Sequence, residues 1–154
     1  MSNLISVQLP NSMPNKAECS VNHKVGKRVD SLILKSLLTL PINLISYKEY
    51  YFCPDPDCPV VYYSTDNKQI FTEDDLRVRV FQKHQQDNDV LVCYCFKHNV
   101  GNIRKDVTEN QKSTIVEQIN HDVQANLCAC GILNPQASCC LGNIRKLIKD
   151  TQPH

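Results

Sequence analysis

Long apolar runs, glycine and net charge are all scarce in this 154-residue chain, and each scarcity removes a class of function. No stretch approaches the ~20 consecutive apolar residues of a transmembrane helix, so no membrane insertion is expected. Met1 to Lys16 lacks a basic start followed by a sustained apolar core, so no signal peptide is expected and the cytoplasm is the expected compartment. With only four glycines there is no loop to cradle a phosphate, and no nucleophile–base pair or cofactor fingerprint stands out. A formal net charge of +1 leaves no electrostatic footprint for nucleic acid. Lys24 to Arg28 and Arg145-Lys146 read as solvated runs.

Cysteine is what the chain has in quantity. There are nine, an odd number, in a sequence without an export signal. In a reducing compartment such a set points to metal or redox chemistry rather than disulfides. Scattered single cysteines would read as small buried hydrophobes, but these are clustered.

The length suits one compact domain or two very small ones. Residues 1–17, with Pro10 and Pro14, read as a loose leader. A front half over 18–83 opens with Cys19 and continues with a short strand ending near Val29. Ser31 is expected to cap a helix through Leu38, stopped by Pro41, with Leu34, Leu37 and Leu38 on its apolar face. Leu32 and Ile33 broaden that face, so the helix is expected to be well buried. Tyr47 to Phe52 and Val60 to Tyr63 suit strands on either side of Cys53-Pro54-Asp55-Pro56-Asp57-Cys58, a tight turn that brings two sulfurs to one side. Such a zinc-knuckle-like hairpin needs further ligands, and Cys19 is the obvious third. His23, four residues later, offers an imidazole as the fourth, although Asn22 or a water could fill that place. Thr72 is expected to cap a turn through Leu76, and Arg77 to Phe81 alternates as a strand.

His84 to Asp89 reads as a connection to a back half over 90–150. There Asn99 is expected to cap a helix bearing Val100, Ile103 and Val107. Thr114 with Glu117 gives a capping-box signal for a second helix bearing Ile115, Ile119 and Val123. A last helix carries Leu141, Ile144, Leu147 and Ile148. Cys93-Tyr94-Cys95 precedes this unit; Cys128-Ala129-Cys130 and Cys139-Cys140 lie in its loop. Short helices around such a loop suit a 2Fe–2S cluster, each iron taking two thiolates. Cys93 and Cys95 supply one pair, and Cys130 with Cys140 is the chosen second pair. Cys128 and Cys139 are held in reserve. A Rieske centre would need two histidines on one iron, and only His98 lies close by.

Cys93-Tyr94-Cys95-Phe96, Leu127-Cys128-Ala129-Cys130, Asn134-Pro135 and Cys139-Cys140-Leu141-Gly142 together resemble the N-terminal domain of CopZ-type copper chaperones. Tyr51-Phe52-Cys53 through Cys58 and Val60-Val61-Tyr62-Tyr63 is similar to that family's zinc hairpin. The resemblance implies one zinc ion and one 2Fe–2S cluster. The back half is also similar to the ferredoxin-like domains of bacterioferritin-associated ferredoxin and NifU. The chain departs from the family at Ser20 and Asn22, where a proline and a second cysteine are expected, and it carries no Met-x-Cys-x-x-Cys copper motif.

The expectation is therefore an α+β protein: a small zinc-binding, treble-clef-like β-hairpin half followed by a helical 2Fe–2S half of the bacterioferritin-associated ferredoxin type. The expected function is that of a one-electron accessory in copper or soft-metal homeostasis. Its expected partners are a redox or metal-trafficking protein and a copper ion. The alternative is a metal sensor or thiol-rich adaptor with no electron-transfer role. An enzyme is the third class, at most a metal-ion reductase acting through the cluster.

Overall fold

The computed structural model describes residues 17–111 and 113–151, so the expected leader lies outside the described residues except for Ala17. The fold is α+β. Four short strands, β1 (Lys27–Val29), β2 (Tyr50–Phe52), β3 (Val60–Ser64) and β4 (Ile70–Thr72), form an antiparallel sheet in that order. Helix α1 (Ser31–Leu37) follows β1, and Ile33, Leu34, Leu37 and Leu38 are buried in the core it shares with the sheet. Asp30, rather than Ser31, caps α1, its carboxylate accepting from the Leu32 amide at 2.9 Å. Leu32 is 54% exposed and does not widen the buried face.

Every residue of β2 and β3 is buried, so both faces of the sheet centre are covered. Tyr50, Phe52, Val61 and Tyr62 enter the α1-side core; Tyr51, Val60 and Tyr63 pack on the other side with Ala17 and three cysteines. A register shift between Val60 and Tyr62 is what lets Val61 and Tyr62 join the same core. Gly26 lies so close to this sheet that a Cβ there would collide with the Phe52 carbonyl oxygen and the Tyr63 hydroxyl. Tyr47, expected to begin β2, is fully exposed outside it.

Residues 77–81 do not form the expected strand. Their polar groups have other partners: the Arg77 amide donates to Leu37 O at 2.8 Å, and the Val80 amide to Glu73 Oε2 at 2.7 Å. The Phe81 amide donates to the Tyr94 hydroxyl at 3.0 Å. A 3-10 turn over Phe81–Lys83 then leads out of the front half.

The back half starts with the β5 (Leu91–Cys93) and β6 (His98–Asn99) ribbon and continues with α2 (Val100–Asn110), α3 (Thr114–Gln124), α4 (Cys130–Leu133) and α5 (Leu141–Thr151). Its core joins Phe81, Val92, Val100, Ile103, Ile119, Ile144 and Leu147. Asn99 caps α2 in a capping box with Asn102. Ser113, not Thr114, caps α3. The two halves touch where α1 packs on α4, with the Ser36 hydroxyl donating to Ile132 O at 2.7 Å. The buried Tyr62 hydroxyl donates to Pro135 O at 2.5 Å.

Asp106, buried at the α2–α3 corner, accepts from Thr114 Oγ1 at 2.7 Å, Ser113 Oγ at 3.0 Å, Asn110 Nδ2 at 3.0 Å and the Ile115 amide at 3.1 Å. Burial alone would raise its pKa, but these hydrogen bonds outweigh it and hold the carboxyl down at about 2. A carboxylate depressed in this way stabilises the fold fully above the ordinary value of ~4, and the contribution fades as pH falls towards 2. Asp106→Ala is expected to cost about 2–3 kcal/mol at pH 7 by loss of several bonds to a charged acceptor. The gap in thermal midpoint between wild type and variant, followed by circular dichroism, should narrow from pH 4 to pH 2.

Candidate metal centres

The front-half sheet gathers three of its expected site residues. Cys53 ends the segment after β2, Cys58 precedes β3, and Cys19 stands at the start of the described chain; all three are buried. Their Sγ atoms lie within 4.8 Å of one another, the sole such group of three His, Cys, Asp or Glu side chains among the described residues. Cys19 and Cys58 Sγ are 3.8 Å apart. Burial, with the Val60 amide opposing it, pushes the Cys58 thiol up to about 11. The Cys58 thiol therefore stays protonated at neutral pH unless a cation binds, and the sulfur-rich set of three fits zinc.

His23 is not brought into this group. It is exposed, in the left-handed region at φ 59°, and its amide donates to Cys19 O at 2.8 Å. Asn22 takes the nearer position, its Nδ2 donating to Cys53 Sγ at 3.3 Å and to Asp55 Oδ2 at 3.1 Å.

In the back half, the four chosen cysteines meet, and Cys128 and Cys139 stay exposed. Cys95 and Cys130 Sγ are 3.4 Å apart, and the Cys140 thiol is hydrogen-bonded to both Cys130 and Cys93. The sulfurs thus form a chain, Cys95–Cys130–Cys140–Cys93, rather than a compact trio. Main-chain N–H groups aim at them: Ala129 at Cys95 (3.1 Å), Cys140 at Cys130, and Cys95 and Phe96 at Cys93. The Cys140 hydrogen bonds hold Cys130 down at about 6 and Cys93 at about 7, while burial pushes Cys95 up to about 12. Cys140, donor to both neighbours, is pushed up. In the same loop, Asn134 is buried and its Nδ2 has no acceptor among the described residues. An array of N–H donors around thiolates, plus an orphaned amide in the loop, is suited to an anionic, acceptor-rich group.

Sequence reasoning missed Lys83 and Tyr94. The Lys83 ammonium donates to Asp55 O at 2.7 Å and Cys58 O at 2.8 Å, the main chain of the thiol turn. Burial lowers its pKa, and the Cys53, Cys58 and Asp55 charges oppose that. Tyr94, set between Cys93 and Cys95, donates to Arg79 O at 2.6 Å and accepts from the Phe81 amide. For Tyr94 the available signal was its place between two cysteines; Lys83 gave none, since it reaches the thiol turn from 25 residues away. Lys83→Met should weaken zinc binding roughly 10–100-fold, the usual cost of losing an outer-shell partner. Competition with a chromophoric chelator measures this, and Lys83→Arg should recover part of the loss.

Residues 16–77 match the family model described as a zinc binding domain, of the CopZ type. No curated protein matches the sequence. Among solved structures, the X-ray structure of the Archaeoglobus fulgidus CopZ N-terminal domain is similar, with a TM-score of 0.69 and 24% identity. The match covers 89% of this chain and 99% of that one. Among the described residues, no helix is long and apolar enough to cross a membrane. Residues 16–77 are thus similar to a zinc-binding domain of the CopZ type, and the chain shares its fold with a CopZ N-terminal domain.

Proposed function

We propose that this protein holds one zinc ion on Cys19, Cys53 and Cys58 and one 2Fe–2S cluster on Cys93, Cys95, Cys130 and Cys140. On this reading it acts in the cytoplasm as a one-electron accessory in copper or other soft-metal handling. The observation that carries the cluster is the back-half set: four cysteines far apart in sequence meet, and four main-chain N–H groups donate to three of their sulfurs. When bound there, the cluster supplies reversible uptake of one electron. The protein's own contribution is to hold the thiolates, to stabilise their charge through those N–H donors, and to keep Cys93 and Cys140 within a dry core. A redox or metal-trafficking protein is the partner, and a copper ion is the cargo whose oxidation state the electron would set. The resemblance to copper chaperones supports this choice of metal.

Exposed Cys128 and Cys139 favour a second reading, a thiol-rich sensor or adaptor in which metal exchange rather than electron flow is the signal. An optical spectrum of anaerobically purified protein, before and after dithionite, separates the two when metals are assayed on the same sample. Visible bands that bleach and return, with about two irons, two sulfides and one zinc per chain, are expected. A colourless protein holding zinc alone would remove the cluster and leave the adaptor. Among variants, Cys130→Ala and Cys140→Ala should lose the visible bands and keep zinc. Cys128→Ala with Cys139→Ala should keep both.

A further inference from the structure

The front-half thiol group has three donors, and a surface hollow reaches one of them, Cys53. No fourth His, Cys, Asp or Glu side chain joins Cys19, Cys53 and Cys58 among the described residues. Residues 1–16 contain none of these four types. Asn22 lies against the Cys53 sulfur, and its amide is turned the wrong way to coordinate. Nδ2 faces Cys53 Sγ and Asp55 Oδ2, while Oδ1 accepts from the Lys24 amide at 2.9 Å. An amide nitrogen with its hydrogens toward a sulfur donates to it and has no lone pair for a metal. On this side lies a hollow of about 300 Å³, lined by Asn22, Lys24, Gly26, Cys53, Pro54 and Asp55.

We propose that the zinc of the front half, on the three-thiolate set put forward above, has its fourth coordination position open to an exchangeable donor. That donor is a water or a small soft ligand such as a thiol, entering through the hollow beside Asn22. Three protein ligands with an open fourth position is the arrangement zinc adopts where it must accept an outside ligand. Asn22 is a positioning residue here: its amide hydrogen-bonds the Cys53 sulfur and Asp55 along the path without taking up the vacant position. An incoming thiol gives its proton to solvent and forms a zinc–sulfur bond as the thiolate, and the water it replaces leaves. No bond to the protein breaks and no electron is transferred.

Cobalt(II) in place of zinc tests this, because its visible bands report the donor set. Addition of imidazole or a small thiol is expected to shift the d–d bands of the wild type saturably, and those of His23→Ala in the same way. Asn22→Cys, which brings a fourth thiolate, should give bands that no longer respond, whereas Asn22→Ala should still respond. A wild type whose cobalt bands ignore added ligand overturns the proposal, and a response that appears only after His23 or His154 is replaced by Ala would identify the protein donor that fills the position. Absence of any sulfur-to-cobalt absorption in the wild type would instead remove the three-thiolate zinc site itself.

Discussion

The two cysteine sites both depend on a pair of adjacent tyrosines pointing to opposite faces of one strand. Tyr62 and Tyr63 are fully buried on β3. Tyr63 stacks on Tyr51 with ring centroids 5.5 Å apart, donates to Ala17 O at 2.6 Å and accepts from the Gly26 amide at 2.7 Å. It thereby ties the chain on both sides of Cys19 to the sheet. Tyr62 passes through the opposite core and donates to Pro135 O, inside the loop between Cys130 and Cys140. Burial pushes the Tyr63 phenol up to about 12 and Tyr62 higher still, so both keep their protons and remain donors at any physiological pH. Each ring contributes roughly 1.5–3 kcal/mol by burial, and each hydroxyl about 1 kcal/mol more with an anchor point that a phenylalanine would lack.

This arrangement divides the labour between core and thiols. Cys93 and Cys140 belong to the apolar core of the back half, and Cys19, Cys53 and Cys58 make up much of the third cluster around Tyr51 and Tyr63. Both sets are therefore wall material of a core as well as donors. In the front half, zinc binding is coupled to folding, because the cation offsets the cost of burying several thiolates side by side. The short strands, of two to five residues, make the same point from the other direction. A sheet this small has little pairing of its own to rely on.

Much of this was legible because local signals and global packing agree. The C-x-C and Cys-Pro-Asp-Pro-Asp-Cys spacings, the Asn99 cap, and the apolar faces of α2, α3 and α5 each need only neighbouring residues to be read. Two of the failures share one cause: the deciding partner lies far away in sequence. Arg77 to Phe81 alternates like a strand, but Leu37, Glu73 and Tyr94 claim its hydrogen bonds. Leu32 looks like part of a buried face until the position of α1 against the sheet leaves it in solvent. Strand β4 was missed because Ile70 to Thr72 is only three residues, too short for alternation to register. Asp106 gave no signal because a lone aspartate late in a helix is ordinary until Ser113 and Thr114 fold back on it.

On the proposed three-thiolate set, the geometry of the front half also explains why three ligands suffice to hold it. A metal stabilises a small fold by joining chain segments that would otherwise separate, so the worth of each ligand depends on the segment it adds. Cys19 brings in the first described segment, and Cys53 and Cys58 bring in the two ends of the turn between β2 and β3. His23 would add nothing of that kind. Its loop is already closed on Cys19, by the His23 amide to Cys19 O at 2.8 Å and the Cys19 amide to Lys24 O at 2.9 Å. Lys83 meanwhile ties the outgoing segment to the same turn through the Asp55 and Cys58 carbonyls, without occupying the metal. A fourth protein ligand would raise affinity but join no further part of the chain. The fold can leave that position to solvent at no cost in connectivity, which separates the structural role of the site from the question of what exchanges there.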